Sequence, residues 1–357
     1  MTQPAAASSS SALPLTVDVL AAELILLYSQ AEQDLLARFA HLVDVVPPAQ
    51  LQAALNREAA RIVSEIRVKS WPLAQRLAVA AAQRGDEAAL GELRRVAATS
   101  QVLSHLLLND PAVALGPRIG ADLGQRLDAT LPRIMQFATT AYRAAAIDEA
   151  VHRLQHGATP AVAQRDAWRK LTQRGITGFT DRAGRQWNLS SYVEMATRTG
   201  LQQAFNEAHL ARMVQAGVEQ FTVPSDGHPC PLCKPWQGRV LTVDGPGPTI
   251  AQATAAGLFH PNCRHTLVAY FPGVSKFAAP APWTDADQRA YDATQRLRAL
   301  EREVRGYKRV AAAALNDLER RRAERYARLV QARIRQHVAR HGLNRRTRRE
   351  QLDLGNH

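Results

Sequence analysis

All three cysteines of this 357-residue chain lie within 34 consecutive positions, as Cys230-Pro-Leu-Cys233 and, 26 residues later, His260-Pro-Asn-Cys263-Arg-His265. Nothing else in the sequence restricts the fold so tightly. A Cys-x-x-Cys turn can place two thiolates on one tetrahedral ion, and a His-x-x-Cys turn supplies a second pair. Sulfur combined with imidazole is a donor set that suits zinc, and four protein ligands close its coordination sphere. The spacing points to a structural zinc site on Cys230, Cys233, His260 and Cys263, with His265 and His228 as substitute fourth ligands. The intervening segment, including Arg239 to Val243, is expected to fold back as a hairpin between the two half-sites.

Four other readings of the same residues stay open. A redox Cys-x-x-Cys normally follows a strand and opens a helix, whereas Pro229 and Pro231 favour a turn. The cysteines can also pack without metal. A disulfide is the least attractive, given an odd cysteine count in a chain read as cytoplasmic. The run His260-Pro-Asn262-Cys263-Arg264-His265 contains the histidine and asparagine of a His-Asn-His nuclease. That chemistry needs a helix bringing a further metal ligand, and the residues after His265 read instead as strand and turn. No phosphate loop, serine triad or isolated acidic pair accompanies it, so the chain is expected not to be an enzyme.

Apolar periodicity fixes most of the rest. Leu20, Leu24, Leu27, Ala31, Leu35, Phe39 and Leu42 recur at steps of three and four, predicting a helix that ends at Pro47-Pro48. Leu51, Leu55, Ala59, Ile62 and Ile66 predict a second. Pro72, close to Ser70, is read as the first turn of a third helix, and Asp86 after Gly85 as the cap of a fourth. Gly116-Pro117 is read as opening another, kinked at Pro132. Short strands are expected at Thr177–Thr180 and Arg185–Trp187 around the turn Asp181–Gly184. Ser191 and Glu194 have capping-box spacing for a helix running to about Gln215 and stopping at Gly217. Three strands follow, at Glu219–Val223, Gly238–Val243 and Thr266–Phe271. From Trp283 the chain turns helical again, with a seam of Leu297, Leu300, Val304, Tyr307, Ala311, Ala314 and Leu318. Two alanines thin that seam, favouring packing onto its own domain over a free coiled coil. Trp187 and Trp236 are expected to pack the small module, and Arg198 either to ion-pair inside it or to face a partner.

The expected organisation is mainly α. Residues 1–15 form a disordered N-terminus and 16–174 a helical array. Residues 175–282 form a small α+β zinc-type module, and 283–357 the basic C-terminal helices. A formal charge of +13 and a pI near 10.3 imply a polyanionic neighbour, most simply nucleic acid. The charge is uneven, since residues 284–357 hold 19 Lys and Arg against 10 Asp and Glu. A solvated Arg-rich face is the plainer reading of that surplus. No apolar run approaches the roughly 18 residues of a membrane span, and no signal peptide is recognisable, so a soluble protein of a reducing cytoplasm is expected.

Several pieces in order complete the reading. They are Tyr28-Ser-Gln-Ala-Glu32, Gly184-Arg-Gln-Trp187, Tyr192-Val-Glu-Met-Ala-Thr-Arg-Thr199, Cys230-Pro-Leu-Cys-Lys-Pro-Trp-Gln-Gly238, His260–His265 and Gln295–Arg302. Together they resemble the minor capsid proteins of tailed bacteriophages, distantly of the phage Mu F-like head type. The resemblance runs from about residue 20 to 350. It implies a structural virion protein, made in the bacterial host cytoplasm and built into the phage head. Its neighbours would be portal or major capsid subunits and packaged DNA, and it offers no catalytic residues. The alternative function is a zinc-supported nuclease or effector co-delivered with the phage genome. A cellular zinc-module DNA-binding protein is disfavoured, because the scattered arginines suggest no groove-reading element.

Overall fold

A computed structural model describes residues 13–97, 110–136, 159–174, 179–180, 186–187, 189–225, 227, 230–278 and 281–353. Those residues form nine helices, five short strands and two 3-10 turns. The helices are α1 (Leu13–Val45), α2 (Pro48–Ala97), α3 (Pro111–Asp128), α4 (Leu131–Gln136), α5 (Pro160–Arg174), α6 (Leu189–Gln215), α7 (Ile250–Ala255), α8 (Asp285–Ala312) and α9 (Asp317–His341). Strands β1 (Phe179–Thr180) and β2 (Gln186–Trp187) pair antiparallel. Strands β3 (Gln220–Thr222), β4 (Val240–Thr242) and β5 (Val268–Ala269) form an antiparallel sheet in the order β4-β3-β5. The chain is thus mainly helical with a small α+β part, as its periodicity predicts. The expected disorder of the N-terminus, the turn at 181–184 and the Trp187 side chain lie outside the described residues, apart from Leu13 onward, which is helical.

Two compact units are built from interleaved segments. The first takes Met1–Ala22, Pro72–Gly124 and Met195–Asp292, and the second takes Glu23–Trp71, Gln125–Glu194 and Ala293–His357.

In the first unit, the C-terminal half of α2 is the organising element. The readings of Pro72 and Gly85-Asp86 as helix starts are corrected here, because α2 runs unbroken through all three. The roughly 3 kcal/mol that an interior proline costs is offset by burial of Ala74, Leu77, Ala78, Ala81 and Ala82 along the following turns. Gly85 is a contact residue rather than a cap, since a Cβ there would stand 2.1 Å from the carbonyl oxygen of Phe205 in α6. Asp86 takes the Arg212 guanidinium in a two-pronged pair, Nε to Oδ1 at 2.5 Å and Nη2 to Oδ2 at 3.1 Å. Nearly two turns on, Glu92 lies 3.1 Å from His209 Nε2 and also accepts the Ala269 N–H at 2.9 Å, which fastens β5. Helix α3 begins at Pro111, not at Gly116-Pro117. Gly116 and Gly120 instead let α3 approach α2, where added Cβ atoms would meet the Cα atoms of Val79 and Gln75 at 2.8 and 2.7 Å.

Gly85→Ala makes these opposing effects measurable. Alanine gains about 1 kcal/mol of helix propensity, but its methyl meets a backbone carbonyl that a rotamer change cannot move. Overpacking of that kind costs about 1–3 kcal/mol or more, so a net loss is expected. Thermal unfolding checks the sign, and a raised midpoint would refute the close approach.

In the second unit, α1 buries Leu24, Tyr28, Leu35 and Phe39, with Ile25, Leu36 and Val43 widening the expected stripe. The α5 indole of Trp168 lies 6.3 Å from the Phe39 ring and donates to the Ala313 carbonyl at 2.8 Å. The capping box expected at Ser191/Glu194 is corrected, because α6 already begins at Leu189. Distant arginines claim those side chains: Arg305 reaches Ser191, Arg309 donates to Ser190 at 2.9 Å, and Arg349 pairs with Glu194 at 3.1 Å. The seam of the C-terminal helices is shorter than expected. Leu297, Leu300 and Val304 of α8 pack on Val330 and Ile334 of α9, but the chain breaks after Ala312. Asn316 caps α9 by accepting the Glu319 N–H at 3.0 Å, which leaves Leu318 74% exposed.

Candidate metal centre

The two cysteine-bearing turns flank the three-stranded sheet of the first unit. Cys230–Cys233 lies between β3 and β4, and His260–Cys263 lies between α7 and β5. Proline sets both turns. In Cys230-Pro-Leu-Cys233 the Cys230 carbonyl accepts the N–H groups of Cys233 and Lys234, at 3.2 and 2.9 Å. In His260-Pro-Asn-Cys263 the His260 carbonyl accepts the Cys263 N–H at 2.8 Å, with Asn262 at φ 65°. Pro followed by a positive-φ Asn is the side-chain preference of a type II turn, so this half-site is encoded locally. Thr199 of α6 then fixes it, its hydroxyl accepting the Asn262 N–H at 3.1 Å and donating to the Met195 carbonyl at 2.7 Å.

The folded turns bring five donor side chains together in two overlapping triads that share Cys233. One is Cys230, Cys233 and His260; the other is Cys233, Cys263 and His265. Sγ of Cys230 is 3.1 Å from Nε2 of His260, Sγ of Cys233 is 3.7 Å from Sγ of Cys263, and Sγ of Cys263 is 3.4 Å from Nδ1 of His265. Cys233, Cys263 and His265 are buried, while Cys230 and His260 are half-buried. His228 lies outside the described residues. Cys233 also belongs to an apolar cluster with Phe221, Val223, Leu241, Leu258 and Leu267, against which Trp236 packs.

Each imidazole is oriented from behind. Nδ1 of His260 lies 2.9 Å from the Pro261 carbonyl. A carbonyl can only accept, so the proton sits on Nδ1 and Nε2 faces the sulfurs. Nε2 of His265 accepts from the Gln237 carboxamide N–H at 2.8 Å, so its ring proton sits on Nδ1, toward Cys263. An acceptor behind the ring, such as the Pro261 carbonyl, is the usual support of a ligating histidine, and it favours His260 over His265 as the ligand. Electrostatics agree. Cys230 and Cys263 are lowered to about 4, each chiefly by its contact with the Cys233 side chain. Cys233 is pushed up, first by Cys230 and then by Cys263, and His260 is raised to about 8, chiefly by Cys230. Such a site holds its outer sulfurs as thiolates, the form that binds metal. Three sulfurs and the Nε2 of His260 fit a soft, tetrahedral divalent ion.

Sequence spacing identified the donors but not their supports. Thr199, Gln237 and the Pro261 carbonyl carry no local signal. Only the position of Gln237, directly after Trp236, hints at its role. The pair expected for Arg198 within residues 175–282 is corrected: its partner is Asp18 of α1, at 2.9 Å, which Arg264 also reaches at 3.3 Å. Lys234, next to Cys233, pairs with Asp287 at the start of α8. That ammonium, with Thr284 donating to the same carboxylate, lowers Asp287 to about 2.

A family model described as phage minor capsid protein 2 matches residues 14–339, taking in both units and both metal-type turns. The chain belongs to that family. No curated protein and no solved structure matches it significantly. Membership as a phage minor capsid protein implies a place in the virion, among other capsid components. No helix among the described residues of this minor capsid protein is long and apolar enough to cross a membrane. Within it, the clustered cysteines and histidines bring the loop after the central strand β3 beside the loop before its neighbour β5.

Proposed function

We propose that this minor capsid protein is a structural component of the phage head, made in the host cytoplasm, seated against portal or major capsid subunits and close to packaged DNA. The family match over residues 14–339 carries the reading. Cross-linking and mass spectrometry of purified heads tests it. Links from this chain to portal or major capsid subunits are expected, and its absence from heads would refute the proposal.

The metal centre in this reading is a structural zinc staple, not a reaction centre. Cys230, Cys233 and Cys263 would hold the ion with His260 as fourth ligand and His265 as substitute. Buried Cys233, Cys263 and His265 face one another instead of an open substrate position. One zinc per chain is expected by elemental analysis. His260→Ala should weaken binding by about 10-fold or more, in the range of disturbed metal shells, and His265→Ala should keep the stoichiometry near one. The reverse ranking would assign the fourth position to His265.

The competing reading is a zinc-supported nuclease or effector delivered with the genome, motivated by the His-Pro-Asn-Cys-Arg-His run. Under the structural reading, plasmid DNA stays intact with added divalent metal. Nicking that disappears in a His260→Ala/His265→Ala variant would favour the enzyme.

A further inference from the structure

Nineteen basic residues in the last fifth of the chain do not act alike once folded. One group is internal to the second unit. Arg309 pairs with Glu32 at 3.2 Å with both side chains 4% exposed, and Arg349 spans Glu194 and Glu301. Arg345 grips Glu350, and Arg298 pairs with Glu301. These arginines hold the fold and are not available to a partner.

The other group lies on α9. Its buried face is Ala323, Ala327, Val330 and Ile334. At 100° per residue, Arg321, Arg325, Arg328 and Arg335 fall on the opposite side, within about 40° of one line along the helix. All four are exposed, and none is held in an ion pair by a described residue. From Arg325 to Arg349 the sequence contains no Asp or Glu, and Ala332 and Ala339 fill the remaining places on that line. By contrast Arg320 is engaged by Asp317, and Arg333 by Glu303.

We infer that the Arg321-Arg325-Arg328-Arg335 face of α9 is a surface that tracks the phosphate backbone of duplex DNA. The inference rests on the proposed nearness to packaged DNA and names the residues that would make the contact. Charge complementarity selects the occupant. Between Arg321 and Arg335 the face carries no acidic and no large apolar side chain; Asp317 lies one turn before it, and the exposed Leu318 and Leu329 lie about 60–80° to one side. It extends about 21 Å along the helix, which suits a continuous row of phosphates. Guanidinium groups suit phosphate oxygens, which they can engage through two N–H groups at once. Binding of this type is independent of base sequence and weakens steeply as salt rises.

The test uses the full chain, a labelled 30-base-pair duplex of arbitrary sequence, and fluorescence anisotropy between 50 and 200 mM NaCl. The stripe variant replaces Arg321, Arg325, Arg328 and Arg335 with Gln. A control variant of equal charge replaces the exposed Arg57, Arg84, Arg94 and Arg95 with Gln. Far-UV circular dichroism and thermal midpoint confirm that both variants are folded. Expected is at least a 10-fold affinity loss at 50 mM for the stripe variant alone. Its slope of log K against log salt should fall by about 3.6 in magnitude, at about 0.9 for each of the four phosphate contacts on B-DNA. Equal losses in both variants would mean diffuse net charge and overturn the assignment, while leaving DNA proximity standing. Wild-type protein that binds no duplex at 50 mM would sink both. Displacement of DNA by polyglutamate at equal charge concentration would assign the face to an acidic protein surface instead.

Discussion

Cys233→Ser is expected to release the ion and lower the thermal midpoint by about 10 °C or more. Cys233 belongs to both donor triads, so its loss leaves the remaining side chains as two separate pairs, Cys230 with His260 and Cys263 with His265, that no shared sulfur joins. Serine is nearly isosteric and leaves the surrounding apolar cluster almost filled, which isolates the loss of the metal from the loss of packing. Structural zinc supplies about 10–16 kcal/mol in small zinc-finger peptides. Here the sheet also rests on Phe221, Leu241 and Leu258 and is tied to α2 through Glu92, so only part of that sum depends on the ion. Several kcal/mol, at about 2–4 °C each for a unit of this size, gives the stated shift. A chelator should carry wild-type protein to the same midpoint and leave the variant unmoved. Wild-type protein that is metal-free and no more stable than Cys233→Ser would show that these cysteines only pack.

What was legible in the sequence was whatever is written within a few neighbouring positions. The three-and-four rhythm of Leu24, Leu35 and Phe39 gave α1, and Pro47-Pro48 gave its end. The metal-type turns were legible because proline and asparagine encode their backbone shape and because sulfur and imidazole are rare enough here to be noticed together. The errors share one cause. Pro72, Gly85-Asp86 and Ser191/Glu194 all carry sound local signals for helix ends, yet each lies inside a helix. Their partners are remote in sequence, Phe205 for Gly85, Arg212 for Asp86 and Arg349 for Glu194. A capping residue and a buried ion-pair acceptor are the same side chain until the fold supplies its partner. The charge surplus of the C-terminal helices misleads in the same way, since several of those arginines are spent on internal carboxylates.

Arg212→Met tests that argument where it is sharpest. Arg212 and Asp86 are both buried, and the variant leaves a carboxylate facing the space from which its guanidinium partner has gone. Removing one partner of a buried pair costs about 3–5 kcal/mol, much of it the penalty of the abandoned charge. Methionine fills most of the volume, so little of the loss is cavity. The discriminating measurement is the double variant Asp86→Leu/Arg212→Met. Replacing a buried pair with apolar groups of similar size is often neutral or favourable, so the double variant should regain most of the stability lost by the single one. Chemical denaturation of wild type, both single variants and the double then closes a cycle whose coupling exceeds about 1 kcal/mol. If Asp86 acted as a local helix cap, its loss would instead cost about 1 kcal/mol whatever occupies position 212, and the two substitutions would add. Strong coupling therefore means that the α2–α6 contact is joined by a charge pair which holds the helix through Gly85, and simple additivity would return Asp86 to the role its neighbours suggest.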